Sequence, residues 1–191
     1  MSITRPYTVV EIGPDWWGRP SRVLINHVNS LPHSSMRYLG LDIRRPSDVA
    51  IRRTKEAAKK GVTVRLEQSS IEDQLPLRQS SVDEIHAHAL YAGPNEASIA
   101  TVSISELIRR TRLFTRRGGS LAFLNKAKRA LRPGGKLFIS GAHGHALYGL
   151  TSNSARWFAA QGFLLEKRGG QAEAQLFSRF GNARIVILKK L

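Results

Sequence analysis

Residues 7–13, with the sequence YTVVEIG, are the stretch that decides the fold. They form a short run rich in β-branched residues, and Gly13 and Pro14 end it, which is typical of a buried strand entering a tight turn. From Ser21 onward apolar residues recur at helical spacing until Pro32, so we predict a helix after the turn. A buried strand followed at once by a helix indicates the start of a β-α-β unit.

The alternation of strands and helices continues along the chain. Residues 37–43 (RYLGLDI) predict a second strand, residues 47–60 a basic helix ended by Gly61, and residues 62–66 (VTVRL) a third strand. Such alternation implies a parallel sheet with right-handed crossovers. Ligands of these sheets bind beyond the carboxyl ends of the strands.

The second half of the chain predicts further elements of the same kind. Two more strands are expected at 82–89 (VDEIHAHA) and 136–140 (KLFIS), and helices at 104–114, 120–131 and 154–162. A turn at 132–135 (RPGG) separates the second of these helices from its strand. Residues 163–166 (FLLE) and 183–188 (ARIVIL) then predict a terminal antiparallel pair.

The chain is strongly basic. Among its 191 residues, 30 Lys and Arg stand against 14 Asp and Glu, a formal net charge of +16. No acidic residue occurs between Leu107 and Leu165. This pattern is typical of proteins that bind RNA or another polyanion, and equally of a solvated basic surface.

Composition also restricts the compartment and the chemistry. The chain has no cysteine, which excludes a disulfide framework, thiolate metal ligands and a thiol nucleophile. Its first residues lack the apolar core of a signal peptide, and no run approaches the roughly 18 apolar residues of a membrane span. We expect a cytoplasmic protein that does not associate with membranes.

Four segments resemble the motifs of the class I S-adenosylmethionine (SAM)-dependent methyltransferases, in order and over nearly the whole chain. They are residues 11–14 (EIGP), Asp42 at the end of the second strand, residues 68–77 (QSSIEDQLPL) and residues 130–137 (ALRPGGKL). The resemblance implies an α/β, Rossmann-like fold: a seven-stranded mixed sheet with helices on both faces, its last two strands forming an antiparallel pair. It also implies one domain over residues 1–191, with a basic helical insertion at about 93–119.

The resemblance further implies SAM as the cofactor. Gly13 would let the backbone approach SAM closely, and Asp42 stands where the family places a carboxylate that accepts both ribose hydroxyls. The residues expected to bind the cofactor are Glu11, Gly13, Pro14, Gly18, Asp42, Ile43, Ser70, Ile71, Glu72 and His86.

The first motif departs from the family's pattern. Asp15 stands where a second glycine belongs, and Trp16 and Trp17 follow it. Bulky side chains would crowd a turn that usually lies against the methionine moiety, and the extra carboxylate would repel that of SAM. A methyltransferase-like domain without turnover, serving as a basic nucleic-acid-binding or scaffold protein, is therefore the alternative function.

Methyl transfer makes modest demands on acid–base residues, because the leaving group is already activated and positioning supplies much of the catalysis. For an acceptor that loses a proton, the candidate bases are His86 and His88 in the fourth strand and His143 after the fifth. Tyr91 is expected to line the acceptor pocket. We expect no metal site, since His143 and His145 have no carboxylate nearby in sequence.

The insertion supplies the predicted contact with the acceptor. Residues 93–119 lengthen the connection after the fourth strand, and such inserts commonly cover substrates. The candidates for phosphate binding are Arg109, Arg110, Arg112, Arg116 and Arg117. RNA is the acceptor that this charge favours, a small anionic metabolite is an alternative, and the oligomeric state is undetermined.

Overall fold

The computed structural model describes residues 5–14, 20–42, 45–69, 75–88, 119–141, 155–177 and 184–191. Their strands form one seven-stranded sheet in the order β3-β2-β1-β4-β5-β7-β6. The strands are β1 (Tyr7–Ile12), β2 (Met36–Asp42), β3 (Val62–Gln68), β4 (Val82–His88), β5 (Leu131–Gly141), β6 (Phe163–Gly169) and β7 (Arg184–Lys190). Strands β1 to β5 pair in parallel, whereas β7 is antiparallel to both β5 and β6. The predicted mixed sheet and its terminal antiparallel pair are confirmed.

The helices among the described residues follow the predicted positions with one addition. They are α1 (Arg22–Asn26), α2 (Asp48–Ala57), α3 (Gly119–Ala130), α4 (Ala155–Ala160) and α5 (Gln171–Gln175), with a 3₁₀ turn at Val28–Ser30. Ser21 and Ser47 cap α1 and α2 by accepting hydrogen bonds from backbone N–H groups. The sequence did not predict α5, because five residues are too few for a helical periodicity to be read.

Both faces of the sheet are covered by helices. On one face, α3 and α4 contribute Leu124 and Phe158 to an apolar cluster with Ile85, Leu137 and Ile139, all fully buried. On the other face, α1 packs against β1 and β2 in a second cluster. Burial of one such Leu or Phe side chain stabilises the fold by roughly 1.5–3 kcal/mol.

The Pro-Gly-Gly segment is a bulge within β5 rather than a turn before it. Leu131 already pairs with Val82, and Lys136 pairs with Glu84, so the four intervening residues lie opposite a single residue of β4. Gly134 has a φ of +74°, a backbone conformation that favours glycine. Strand β5 is therefore longer than the predicted 136–140, because its pairing with β4 begins before the bulge.

The strand order changes direction beside β1. Strand β1 has β2 on one side and β4 on the other, and Ile12 pairs with both Leu41 and Ala87. In open parallel sheets, the carboxyl ends of such neighbouring strands frame the ligand crevice. The ends of β1, β2 and β4 therefore define the part of the molecule where a site is expected.

Candidate functional site

A tight turn follows β1 at this edge of the sheet. Gly13 has a φ of +72°, and its N–H donates a hydrogen bond of 2.7 Å to the carbonyl oxygen of Leu41. A side chain at this position would be strained, whereas glycine adopts the conformation freely. The positive φ explains why glycine stands at residue 13 in this turn, and its predicted contact with a cofactor stays a prediction.

Pro14 packs the turn against the neighbouring strand β2. Its side chain is buried, and a Cβ atom added at Gly40 of β2 would lie 3.1 Å from Pro14 Cγ and 2.9 Å from Leu66 Cδ2. The missing side chain at Gly40 therefore lets Pro14 pack closely over β2. This contact fixes the turn beside the end of that strand.

Asp42 is the last residue of β2 and lies next to this turn. The register that pairs Ile12 with Leu41 brings Gly13 and Asp42 side by side. The carbonyl oxygen of Asp42 accepts a hydrogen bond of 2.6 Å from the N–H of Ser69, which joins the end of β2 to the segment after β3. The structure thus brings together two of the residues predicted to bind the cofactor.

Glu11, two residues before Gly13 in β1, carries a buried carboxylate. Its Oε2 accepts hydrogen bonds from the hydroxyl of Ser21 and, at 2.5 Å, from the hydroxyl of Tyr38. Burial raises the pKa of Tyr38 well above its usual value, and the adjacent Glu11 charge raises it further. Tyr38 therefore remains a donor, and Glu11 links β1, β2 and the start of α1.

A second group of polar side chains is buried on one face of the sheet along β4. Glu84, His86 and His88 alternate along the strand and share one face, and all three are buried. His86 Nδ1 lies 3.1 Å from His88 Nε2, and His86 Nε2 lies 3.2 Å from Glu84 Oε2. At the strand end, His88 Nδ1 lies 2.9 Å from the hydroxyl oxygen of Ser140 on β5. These contacts form one continuous chain of hydrogen bonds.

Two residues from outside β4 complete the environment of Glu84. His27, directly after α1, places its Nε2 2.6 Å from Glu84 Oε2, and the hydroxyl of Tyr7 donates a bond of 2.8 Å to Glu84 Oε1. We call His27, Glu84, His86, His88 and Ser140 the histidine network. Burial raises the pKa of Glu84, but the hydrogen bonds from His27 and His86 lower it more, so the carboxyl is ionised at neutral pH.

Aromatic rings enclose the histidines of β4. The ring of His86 stacks on Phe138 with centroids 4.2 Å apart, and the ring of His88 stacks on Phe177 at 5.3 Å. Burial lowers the pKa of His86, and it lowers that of His88 well below the usual value. Both imidazoles are therefore neutral at pH 7, and a neutral imidazole both donates and accepts hydrogen bonds.

Two of the histidines predicted as bases lie in β4, and their positions differ. His86 is fully buried and its ring contacts Glu84, His88 and Phe138. His88 is the last residue of β4 and is 6% exposed, so it lies closer to the edge of the sheet. A base role fits the position of His88 better than that of His86.

Sequence reasoning missed most of the histidine network. The alternation of Glu84, His86 and His88 was a signal, because polar residues at every second position predict a polar face on a strand. His27 gave no signal, since its contact with Glu84 joins residues 57 positions apart. His27, Glu84 and His86 each offer one potential metal-ligand atom, and these atoms lie within 4.8 Å of one another.

Several predicted site residues lie outside the described residues. The cofactor-binding predictions concerned are Gly18, Ile43, Ser70, Ile71 and Glu72. The predicted acceptor and base residues concerned are Tyr91, His143, Arg109, Arg110, Arg112, Arg116 and Arg117. Asp15, Trp16, Trp17 and the predicted helix at 104–114 also lie there. In the ranges that the structure describes, no helix is long and apolar enough to cross a membrane.

Solved structures share this architecture. No protein-family model matches the sequence, and no curated protein matches it significantly. The aminoglycoside resistance methyltransferase NpmB1 aligns with a TM-score of 0.57 and 16% identity over 99% of this chain and 89% of its own. A SAM-dependent methyltransferase from Mesorhizobium loti aligns with a TM-score of 0.53 and 15% identity over 100% and 94% of the two chains. The Burkholderia thailandensis 1,6-didemethyltoxoflavin-N1-methyltransferase, solved with S-adenosylhomocysteine, aligns with a TM-score of 0.53 and 14% identity over 97% and 72%. The chain therefore has the fold of the class I SAM-dependent methyltransferases.

Proposed function

We propose that this protein is a SAM-dependent methyltransferase whose cofactor site lies at the carboxyl ends of β1 and β2. The observation that carries the proposal is the placement of the positive-φ turn at Gly13 beside the carboxylate-bearing residue Asp42. The fold supports it, because solved structures of the same architecture include a SAM-dependent methyltransferase and a methyltransferase with bound S-adenosylhomocysteine. Residues 1–191 would act as one cytoplasmic domain.

The described residues fit a nucleoside-linked amino acid. Glycine at residue 13 leaves the backbone without a side chain where a ligand would approach, and Asp42 offers acceptor oxygens for the hydroxyls of a ribose. Glu11 accepts hydrogen bonds from Ser21 and Tyr38, which fixes the end of β1 relative to β2 and the start of α1. SAM supplies a methyl group on a sulfonium, a leaving group that departs as a neutral thioether. What the chain contributes is the alignment of this methyl group with the acceptor.

His88 is the proposed base for an acceptor that carries a proton. Its pKa is lowered by burial, so the ring is neutral at pH 7, and it lies at the strand end beside Ser140. SAM, when bound, would supply the activated methyl group, and His88 would accept the proton that the acceptor atom loses.

RNA or another anionic molecule is the proposed acceptor. The net charge of +16 supports this choice, together with the five arginines within residues 93–119 that are predicted to bind phosphate. A small anionic metabolite is the alternative substrate. The alternative function, a basic scaffold that has lost turnover, rests on the Asp15-Trp16-Trp17 departure from the family's first motif.

Calorimetry of the full chain with SAM and with its demethylated product tests the cofactor site. We expect micromolar binding, weakened at least about tenfold by Asp42→Ala because a charged hydrogen-bond acceptor is lost. Gly13→Trp should weaken binding as well. Asp48→Ala, an exposed residue at the start of α2, is the matched control and should bind normally. No binding of either ligand to the wild type would favour the scaffold function.

Transfer of a labelled methyl group from SAM identifies the acceptor. Total RNA and a metabolite extract are incubated separately with the protein, and label in the RNA fraction supports our choice. Charge reversal at Arg109 and Arg112 should reduce RNA affinity and the salt dependence of binding. The same reversal at Arg52 and Arg53 on α2 is the control for a purely global charge effect. Equal losses in both pairs would remove the specific role of the insertion.

A further inference from the structure

We infer that His27, Glu84 and His86 form a binding site for a divalent transition-metal ion of the Zn²⁺ class. The site lies on the face of the sheet that α1 covers, and it does not include the turn at Gly13. It does not depend on the proposed methyltransferase activity. One ion would join the end of α1 to the middle of β4, with a water molecule in the fourth position of a tetrahedral site.

The geometry of the three ligand atoms is close to that of a metal site. His27 Nε2 and His86 Nε2 lie 2.6 Å and 3.2 Å from the same carboxylate oxygen, Glu84 Oε2. All three atoms lie within 4.8 Å of one another. In a tetrahedral Zn²⁺ site with bonds of about 2.1 Å, ligand atoms are about 3.4 Å apart. Small side-chain rotations therefore convert the observed arrangement into a coordinating one.

The surroundings provide partners for the other atoms of the ligands. A metal-bound histidine usually donates its second ring N–H to a fixed acceptor, which holds the ring in place. His86 Nδ1 faces His88 Nε2 at 3.1 Å, and His88 Nδ1 faces the Ser140 hydroxyl at 2.9 Å. If a metal bound His86 Nε2, the proton of His86 and the proton of His88 would each lie on Nδ1. His86 would then donate to His88 Nε2, and His88 would donate to the Ser140 hydroxyl oxygen. Neither ring gains or loses a proton in this change.

The carboxylate is also held in place. Tyr7 donates to Glu84 Oε1, which leaves Oε2 directed at the two imidazoles. Among the described residues, Glu84 pairs with two basic side chains, His27 and His86. No lysine or arginine of the described residues forms an ion pair with the Glu84 carboxylate. A divalent cation would compensate this buried negative charge.

The ligand types determine the class of metal. Two imidazole nitrogens and one carboxylate oxygen suit Zn²⁺ and its neighbours in the first transition row, whereas Mg²⁺ and Ca²⁺ prefer oxygen ligands. Without thiolates, the site would not select Cu(I) or an iron–sulfur cluster. Co²⁺ is the appropriate spectroscopic probe because it adopts the geometry of Zn²⁺ sites and absorbs visible light.

The test uses the untagged full chain, freed of metal with a chelator and titrated with Co²⁺ and then Zn²⁺. We expect one equivalent of Co²⁺ per chain, intense visible absorption bands, and their loss when Zn²⁺ displaces Co²⁺. Zn²⁺ at a hundredfold excess over its Kd should raise Tm by about 5–10 °C. Absence of both the bands and the Tm shift would overturn the proposal.

Variants locate the bound ion. His27→Ala and Glu84→Gln should each lower Co²⁺ affinity at least about a hundredfold. Glu84→Gln keeps the size of the side chain and an acceptor oxygen. It therefore still tests the site if His27→Ala does not fold. Three other histidines serve as controls: His33→Ala, next to Tyr7, and His143→Ala with His145→Ala should retain the full equivalent. Loss of the metal in either control, or its retention in Glu84→Gln, would contradict the assignment.

Discussion

On one face of β4, Ile85 and Ala87 pack against an apolar layer from α3 and α4. On the opposite face Glu84, His86 and His88 form a chain of hydrogen bonds that Glu84 extends to His27, directly after α1. Strand β5 continues both patterns, with Leu137 and Ile139 on one face and Phe138 and Ser140 on the other. Strands β4 and β5 therefore contribute to an apolar layer on one face of the sheet and to a hydrogen-bonded polar layer on the other.

The difference predicts how each face responds to substitution. The apolar face is stabilised by buried area and close packing, so its sensitivity follows the volume that a substitution removes. On the polar face each buried group needs its partner, so removal of a single atom leaves another group unsatisfied. Four substitutions test this comparison.

The largest effect is expected for Phe158→Ala on the apolar face. Phe158 of α4 is fully buried in the cluster beneath α3 and α4, and its truncation leaves a cavity. We expect a loss of about 3–5 kcal/mol in the free energy of unfolding, measured by urea denaturation. Phe158→Leu should lose less than half of that, because most of the volume is kept. A loss below about 1 kcal/mol for alanine would show that this face is not closely packed.

Tyr38→Phe removes one hydroxyl from the face that α1 covers. At pH 8 the loss of its bond to the Glu11 carboxylate should lower the free energy of unfolding by about 2 kcal/mol. Because the folded pKa of Tyr38 is raised, its stabilising effect is complete below its ordinary value of 10.0 and declines as pH rises further. The difference between wild type and variant should shrink by about 1.4 kcal/mol per pH unit above that value. Unfolding of both proteins between neutral and alkaline pH measures this, and a constant difference would refute it.

Tyr7→Phe is expected to have a smaller effect on the same face. Tyr7 donates to Glu84 Oε1 but is only half-buried, so water can replace part of the lost bond. We expect a loss of about 1 kcal/mol in urea unfolding. The loss should be smaller in a Glu84→Gln background, where the charged acceptor is absent. Equal losses in both backgrounds would mean that Tyr7 does not act through Glu84.

The smallest effect is expected for Leu164→Ser at the edge strand β6. Leu164 is 50% exposed, so little apolar area is lost. The free energy of unfolding should change by less than about 0.5 kcal/mol. A loss comparable to that of Phe158→Leu would indicate that this edge is covered when the protein is in solution, which sedimentation analysis would then test.

The order of strands and helices followed from local sequence, whereas Gly13 and Asp42 were predicted as cofactor-binding residues from the family resemblance. Residues 7–12 and 37–42 lie in two predicted strands, the first followed by Gly13 and the second ending at Asp42, and parallel strands place their carboxyl ends at one edge. The predicted proximity of Gly13 and Asp42 is thus a consequence of strand direction. The bounds of β5 could not be predicted in the same way, because the bulge at 132–135 looks like a turn until its pairing with β4 is seen.

The histidine network could be predicted only in part. The alternation of Glu84 and His86 in β4 indicates a shared face, but it does not say what covers that face. The contact of His27 with Glu84 depends on how α1 crosses the sheet, and the stacking of His88 on Phe177 depends on the chain after α5. These are packing relations between elements distant in sequence.

The sequence by itself determined the α/β alternation, the glycine turn after β1 and the basic character of the chain, because strand patterns, backbone freedom and charge are properties of short segments. Only the tertiary structure decided that Glu84, His86 and His27 meet on the face that α1 covers, and that Glu11 joins β1 to Tyr38 of β2 and to Ser21 before α1. The direction of a side chain is local, but its partner is chosen by the packing of helices against strands far away in the chain.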